Sequence, residues 1–370
     1  MARSNKILIC IPSYTFGGAE IHSLYTAKAI QKNSDNEVYF LAFGRIDTFK
    51  SKLEEEGFNV LHFNLNNFLS LSSFKKCIQL FKLFIFLRPF KFKYIFSGTE
   101  QCNLLMGLTW KFLGVKKFFW HQWGISSSVN TGFWEKLVAK TNPTYIANSE
   151  ACKQNLLNRH SISDEEKVII IHNTFNEEIL KVTPVFDSNF FNIVMLANFY
   201  DEKDHETVLR ALKLFVTKYT DSNIVVYFAG RDNGSHLILK AKALAFDLYL
   251  NNHVVFEGLV ENVSTLLEKM TVGILSTKSE GLSNALIEYL AAGLPIIATN
   301  ISQNREAVGE ENANWLFPIG DEKACFNLIE KLFLNRSNAE KKGRDNKLFA
   351  ESHFSNKIYD KEIMNLIKES

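Results

Sequence analysis

The chain has 370 residues, 46% of them hydrophobic, and a formal net charge of +2. That length exceeds what one hydrophobic core usually holds, so two domains are expected, and the apolar content excludes a disordered or low-complexity chain. No apolar run approaches the ~18 to 20 residues that span a bilayer.

Five cysteines (Cys10, Cys77, Cys102, Cys152 and Cys325) are scattered and never form a CxxC pair. Structural zinc and a disulfide framework are not expected, and a reducing cytoplasm is the expected setting. MARSNKILICIPSY shows no apolar h-region with a cleavage site, so KILICI is read as a first buried strand. The near-neutral total hides an asymmetry: residues 1–185 sum to +7 and the remainder to −5. A basic first half suits an anionic partner such as nucleic acid, lipid headgroups or a phosphorylated acceptor, although scattered lysines on a solvated face give the same sum.

In chain order, strand-like runs fall at Lys6–Ile11, Val38–Phe43, Tyr94–Ser97, Lys117–Trp120, Thr144–Asn148 and Lys167–Ile171. Helical patterns separate them at Ala19–Gln31, Phe74–Leu87, Cys102–Leu113 and Ser149–Asn158. The second half repeats the alternation with strands at Asn192–Ala197, Asn223–Ala229, Val254–Glu257, Val272–Leu275 and Pro295–Ala298. Such alternation predicts mostly parallel sheets with helices on both faces, an α/β class. The polar stretch Asn173–Asn189, with Pro184, reads as a linker. The expected domains are therefore 1–185 and 186–354, with residues 355–370 a helix that packs back on the first.

Ligands of doubly wound sheets gather at the carboxyl ends of the strands, and the candidate residues fall there. In SEGLSNALIEYLAAGLPIIATN, Ser283 and Asn284 supply N-cap chemistry for an apolar helix that Gly293 and Pro295 end. Glu280 precedes that helix and Glu288 lies one turn inside it. Between them the N–H groups of Gly281, Leu282, Ser283 and Asn284 lack helical acceptors, and the helix dipole favours an anion. A phosphate flanked by two acceptors for sugar hydroxyls suggests a nucleotide-sugar site. Two glutamates at this spacing also arise by chance.

Further candidates are Gly17 and Gly18, which open a helix after the first strand, and His121 in WHQWG. A glycine pair also serves ordinary turns, and a histidine among tryptophans also serves as core. Phe74–Tyr94 interleaves phenylalanines with Lys75, Lys76, Lys82, Arg88, Lys91 and Lys93. That suits either an interfacial membrane contact or a core helix with a wet face. No Asp-x-Asp pair, Walker loop, GxGxxG or HExxH spacing occurs.

The EGLSNALIE frame with the following AAGLPIIAT resembles the donor-binding signature of family 4 retaining glycosyltransferases. The resemblance covers nearly the whole chain and is loose before Pro143. It implies the GT-B fold, two doubly wound Rossmann-like domains facing an interdomain cleft, and a metal-independent transferase without a cofactor. The substrate is then a nucleotide diphosphate-sugar, with UDP or GDP expected. Glu280 would position the donor sugar and Glu288 the ribose hydroxyls, with the Gly17–Gly18 loop and His121 near the sugar. Asn173 matches the asparagine of the family's PNGVD turn, whose glycine and aspartate are absent here. Lys203 matches the diphosphate-binding lysine, while Asn198 stands where the family has arginine. Arg231 is a candidate for the missing charge, and the loops at Gly230 and Leu259 would border the base. The implied acceptor is a surface or lipid-linked glycan, with peripheral membrane contact and no nucleic-acid partner. A nucleotide-sugar epimerase or hydrolase, or a non-catalytic nucleotide-sugar binder, are the alternatives.

Overall fold

Every residue from Ile7 to Ile11 is buried, which a strand achieves only when helices cover both faces of its sheet. The computed structural model describes residues 4–65, 68–125, 132–160, 162, 164–186, 189–232, 234 and 236–368, and it has that architecture twice. Chain contacts divide it into unit 1, Met1–Asn173 with Asn356–Ser370, and unit 2, Thr174–Ser355.

Unit 1 runs β1 (Lys6–Ile11), α1 (Gly18–Asn33), β2 (Glu37–Ala42), α2 (Phe49–Glu55), β3 (Asn59–His62), α3 (Ser73–Leu87), β4 (Tyr94–Ser97), α4 (Glu100–Thr109), β5 (Lys117–Gln122), α5 (Gly132–Lys140), β6 (Thr144–Ala147), α6 (Glu150–His160) and β7 (Val168–Ile170). The strands are all parallel, in the order β3-β2-β1-β4-β5-β6-β7. Alternate residues of β1 feed two cores. Leu8 and Cys10 pack with Leu83 and Leu87 of α3, Leu104 of α4 and Leu156 of α6. Ile7, Ile9 and Ile11 pack with Leu24 and Ile30 of α1 and Leu53 of α2.

Unit 2 runs β8 (Phe191–Leu196), α7 (His205–Lys218), β9 (Ile224–Ala229), α8 (Leu237–Asp247), β10 (Val254–Gly258), α9 (Val263–Leu267), β11 (Val272–Leu275), α10 (Asn284–Ala292), β12 (Ile296–Thr299), α11 (Ser302–Val308), β13 (Leu316–Phe317), α12 (Glu322–Leu334) and α13 (Arg336–Phe354). Its strands are also parallel, in the order β10-β9-β8-β11-β12-β13. The last helix, α14 (Asn356–Lys368), belongs to unit 1. There Ile363 and Ile367 join the α1 side of the core, and the hydroxyls of Tyr359 and Thr26 hydrogen-bond at 2.7 Å.

The contact division falls at 173/174 rather than at the 185/186 boundary expected from the sequence. Residues 174–186 read as a linker because they are polar and contain Pro184, but their apolar members are anchored. Phe175, Ile179 and Val182 lie in the unit 2 core, and the Lys347 ammonium bonds the carbonyls of Leu180 and Val182. Residues 187–188 of the expected linker lie outside the described residues.

Candidate nucleotide-sugar site

In each sheet the strand order reverses once, between β1 and β4 in unit 1 and between β8 and β11 in unit 2. Loops diverge at such a switch point and leave a crevice at the carboxyl end of the strands. In unit 2 the two central strands pair only at Val272 with Ile193 and Gly273 with Val194. Beyond that, Tyr289 of α10 stands between them. Its hydroxyl accepts the Leu196 N–H at 2.5 Å and donates to the Ile274 carbonyl at 3.3 Å. The ring lies where a side chain on Gly273 would be, since a Cβ there would meet ring carbon at 2.3 Å. Tyr289 thus seats α10 on the sheet and parts the strands at the crevice.

The loops leaving β8 and β11 are then tied back together. Lys203 and Thr277 form an isolated antiparallel bridge. The Asp204 N–H donates to the Ser276 carbonyl at 2.9 Å, and the Lys278 N–H donates to the Glu202 carbonyl at 2.8 Å. This brings the Lys203 ammonium onto the Glu280 carboxylate as an ion pair with both side chains largely buried. Asp204 also N-caps α7, accepting the Thr207 N–H at 3.1 Å, so Lys203 sits one residue outside a fixed helix start.

Ser283 is the N-cap of α10, and its hydroxyl accepts the Leu286 N–H at 3.4 Å. Gly281, Leu282 and Ser283 are buried, while Asn284 is half-buried. The helix closes on Gly293 at φ 77°, the left-handed region that glycine tolerates. Glu288, on the second turn, is half-buried, and no hydrogen bond or ion pair holds it among the described residues. Burial pushes its carboxyl up to about 7 from the ordinary 4.5. A half-buried carboxyl raised in this way, with no partner among the described residues, is a candidate for a hydroxyl or cation from outside the chain.

The position expected to carry arginine is used for bracing. The Asn198 side-chain oxygen accepts the Arg231 N–H at 3.0 Å, and the Phe199 N–H donates to the Arg231 carbonyl at 3.0 Å. These bonds fix the loops after β8 and β9 to each other and set Arg231 beside Asn198. Its guanidinium makes no ion pair among the described residues. Gly230 is required here, because a Cβ would meet the Ala197 carbonyl oxygen at 2.0 Å. Leu259 follows β10 and is exposed. Sequence reading missed His205, the first residue of α7. Its ring stacks on Phe199 at 4.1 Å, and burial lowers its pKa to about 4, so it is neutral.

In unit 1, His121 lies inside β5, opposite Ile146 of β6, rather than just past the strand as the sequence suggested. It is buried and stacks on Trp123 at 3.6 Å, which itself stacks on His22 at 5.1 Å. Burial, then nearby His22, holds its pKa well below 6.5. Its Nε2 has no hydrogen-bond partner among the described residues. Gly98, at the end of β4, admits the Trp123 ring, since a Cβ there would meet indole nitrogen at 2.2 Å. Gly17 is the extended N-cap of α1, with Gly18 exposed on its first turn at the carboxyl end of β1. Asn173 is buried at the end of unit 1, past β7. Among the described residues no cluster of three or more His, Cys, Asp or Glu forms a metal site.

Lys203 and Glu280 therefore meet at the β8/β11 crevice of unit 2, beside the Ser283 N-cap of α10, with Asn198, Gly230 and Arg231 on its β9 side and Glu288 further along α10. His121, Gly17 and Gly18 are placed by the unit 1 sheet.

Residues 191–335 match the family model for glycosyl transferases group 1. Similar proteins include EpsD of Bacillus subtilis, 28% identical over 43% of this chain and 41% of that protein. The capsular polysaccharide biosynthesis glycosyltransferase CapM of Staphylococcus aureus is 26% identical over 55% of this chain and 53% of its own. The chain thus spans about half or less of the length of these relatives. Among solved structures, Anabaena HepE in complex with UDP and glucose superposes with a TM-score of 0.84 at 18% identity, covering 99% of this chain and 100% of that one. A glycosyltransferase from Rickettsia africae superposes with a TM-score of 0.84 at 19% identity, covering 99% and 98%. With two parallel Rossmann-like sheets of seven and six strands, the chain has the GT-B fold, and its residues 191–335 resemble the group 1 glycosyl transferases.

Proposed function

We propose that the protein is a retaining glycosyltransferase that moves a sugar from a nucleotide diphosphate-sugar to the hydroxyl of a surface or lipid-linked glycan. One observation carries this reading: Lys203 and Glu280, 77 positions apart in sequence, meet at the switch point of unit 2 beside the start of α10. A cation and a carboxylate beside a helix N-terminus, with a second carboxyl further along that helix, suit a diphosphate between two sets of sugar hydroxyls.

The chemical difficulty is departure of the diphosphate while positive charge develops at the anomeric carbon, so stabilising the leaving group is the main demand. Lys203 and the N–H groups from Leu282 to Asn284 take that role, with Arg231 in place of the arginine that Asn198 replaces. Lys203 shifts from Glu280 toward the diphosphate, and the released Glu280 accepts from the donor sugar. Glu288 accepts from the ribose hydroxyls. His121, neutral because it is buried, offers a hydrogen bond to a sugar hydroxyl. In a retaining transfer the departing phosphate can take the acceptor proton, so no protein nucleophile is assigned. No metal ion or other cofactor is invoked.

Support for UDP as the nucleotide comes from the HepE structures, which hold UDP and UDP-glucose. CapM, in capsular polysaccharide biosynthesis, supports a glycan acceptor, and a relative from Dictyostelium discoideum that uses GDP-Man on a dolichol-diphosphate glycan supports a lipid-linked one. The cytoplasmic face of a membrane is the setting this implies; no helix among the described residues is long and apolar enough to cross one. The test is a panel of UDP-, GDP- and ADP-sugars scored by thermal shift, then turnover with and without acceptor. Transfer only with acceptor is expected. Release of free nucleotide without acceptor would instead indicate a hydrolase or epimerase, and binding without turnover a non-catalytic binder.

A further inference from the structure

Helix α3 buries only one edge. Leu83 and Leu87 enter the unit 1 core, whereas Phe74, Ile78, Phe81 and Ile85 are 76%, 39%, 63% and 54% exposed. Their spacing of four, three and four places them in one stripe along the outer face of a 15-residue helix, about 22 Å long. Scattered exposed apolar residues are ordinary, but a continuous stripe of four large ones is not.

The charge around it is mainly basic. Lys75 and Lys82 are exposed along one flank of the stripe, and Arg88, beyond the helix end, is also exposed. From Gly57 to Lys140, the end of α5, the sequence has eleven basic residues and two acidic ones, Glu100 and Glu135, both of which pair with Arg159. The Lys76 ammonium lies 5.9 Å from the Trp134 ring, so the start of α3 adjoins the start of α5, where Phe133 is exposed. α3 connects parallel strands β3 and β4, so its first turn lies at the carboxyl end of the sheet, beside its ligand-binding edge.

We propose that α3 docks this protein on an anionic lipid surface, with Phe74, Ile78, Phe81 and Ile85 entering the headgroup–acyl boundary and Lys75, Lys82 and Arg88 contacting lipid phosphates. An apolar stripe with lysines beside it and no acidic residue is the composition of a helix that lies in a membrane interface. A second copy of the chain is a poorer occupant. Facing two such surfaces would bring like charges together, and four side chains fall short of the ~1,200 Å² of a stable interface. The docking stands on α3 alone; it deepens the lipid-linked acceptor reading by placing the sheet's ligand edge next to the lipid.

The experiment is flotation of the full chain with vesicles of phosphatidylcholine alone or mixed with phosphatidylglycerol, at low and raised salt. Two variants are compared, Phe74→Ser/Phe81→Ser and Lys75→Glu/Lys82→Glu, whose sites are exposed and whose folding is checked by melting temperature. Binding to the anionic vesicles that weakens with salt, and falls about tenfold or more in each variant, is expected. No vesicle binding by the wild type, or binding undiminished in both variants, would overturn the proposal. So would a wild-type dimer that Phe74→Ser/Phe81→Ser dissociates without any vesicle capture, which makes a second copy the occupant. The thermal shift by UDP, measured on the same variants, should not change; its absence in all forms would count against the donor site and leave the docking result standing.

Discussion

The Tyr289 hydroxyl accepts the Leu196 amide at 2.5 Å, at the place where β8 and β11 cease to pair. A side chain thereby substitutes for a strand, and the loop leading to Asn198 and Lys203 takes its direction from that bond. Tyr289→Phe leaves the Leu196 N–H without its acceptor at nearly constant volume. The expected loss is about 1–3 kcal/mol of stability, together with weaker nucleotide binding because the Lys203 loop loses its anchor. Chemical denaturation and UDP titration of the variant check both.

Gly230 answers a packing demand of a different kind. With the Ala197 carbonyl oxygen 2.0 Å from any Cβ, Gly230→Ala must displace backbone. A loss of about 3 kcal/mol is expected, measurable as a lower denaturant midpoint. Gly234→Ala, where nothing lies within 4 Å of the added carbon but φ is +87°, should cost less.

Lys203 and Glu280 should behave as a coupled pair. Either Lys203→Met or Glu280→Gln alone leaves the partner charge largely buried without compensation. The double variant should therefore cost less than the sum of the singles, with a coupling of about 1–3 kcal/mol in a denaturation cycle. Additive losses would mean that the pair contributes nothing to the fold.

Glu288 gives a pH dependence whose sign follows from its carboxyl being raised to about 7. The folded form holds this proton between the ordinary 4.5 and about 7, while the unfolded form releases it. Stability contributed by the neutral acid is complete below that window and is lost as pH rises through it. Glu288→Gln should flatten this part of the profile, so the variant melts above wild type at pH ~8 and close to it at pH ~5. Its nucleotide binding should weaken chiefly at pH ~8, where the wild type carries the carboxylate assigned to ribose recognition. Melting curves at the two pH values, without and with UDP, separate stability from binding.

His121 is buried with an unpartnered nitrogen, so His121→Phe should keep or raise the melting temperature. Sugar transfer should nevertheless fall by roughly tenfold or more if the ring bonds the sugar. Turnover and melting temperature measured together distinguish this from a packing role, which would lower the second.

The sequence makes the unit 2 helix start legible because Ser283, Gly293 and Pro295 punctuate it and each has a local backbone reason. The strands β1, β8, β11 and β12 were equally readable as mainly apolar runs. By contrast, β13 is a two-residue edge, too short for any pattern, and the edge strand β3, Asn59–His62, is bounded by polar residues and has none that is buried. The segment from Thr174 to Val182 read as linker because three buried apolar side chains within a polar stretch have no regular spacing. The meeting of Lys203 with Glu280 depends on β8 lying next to β11, and strand order is not written in local pattern. Asn198 could be seen to lack a positive charge, but its bond to the Arg231 amide requires two loops in register. The tyrosine beside Glu288 carried no motif signal; only the gap over Gly273 shows its purpose.

Calorimetric titration with UDP of the wild type, Lys203→Ala and Glu288→Ala tests the central claim most directly, namely that a nucleoside diphosphate binds at the start of α10. Loss of one charge-assisted hydrogen bond, ~1.5 to 3 kcal/mol, should weaken binding by about tenfold or more in each variant. Equal affinity in all three proteins would contradict it.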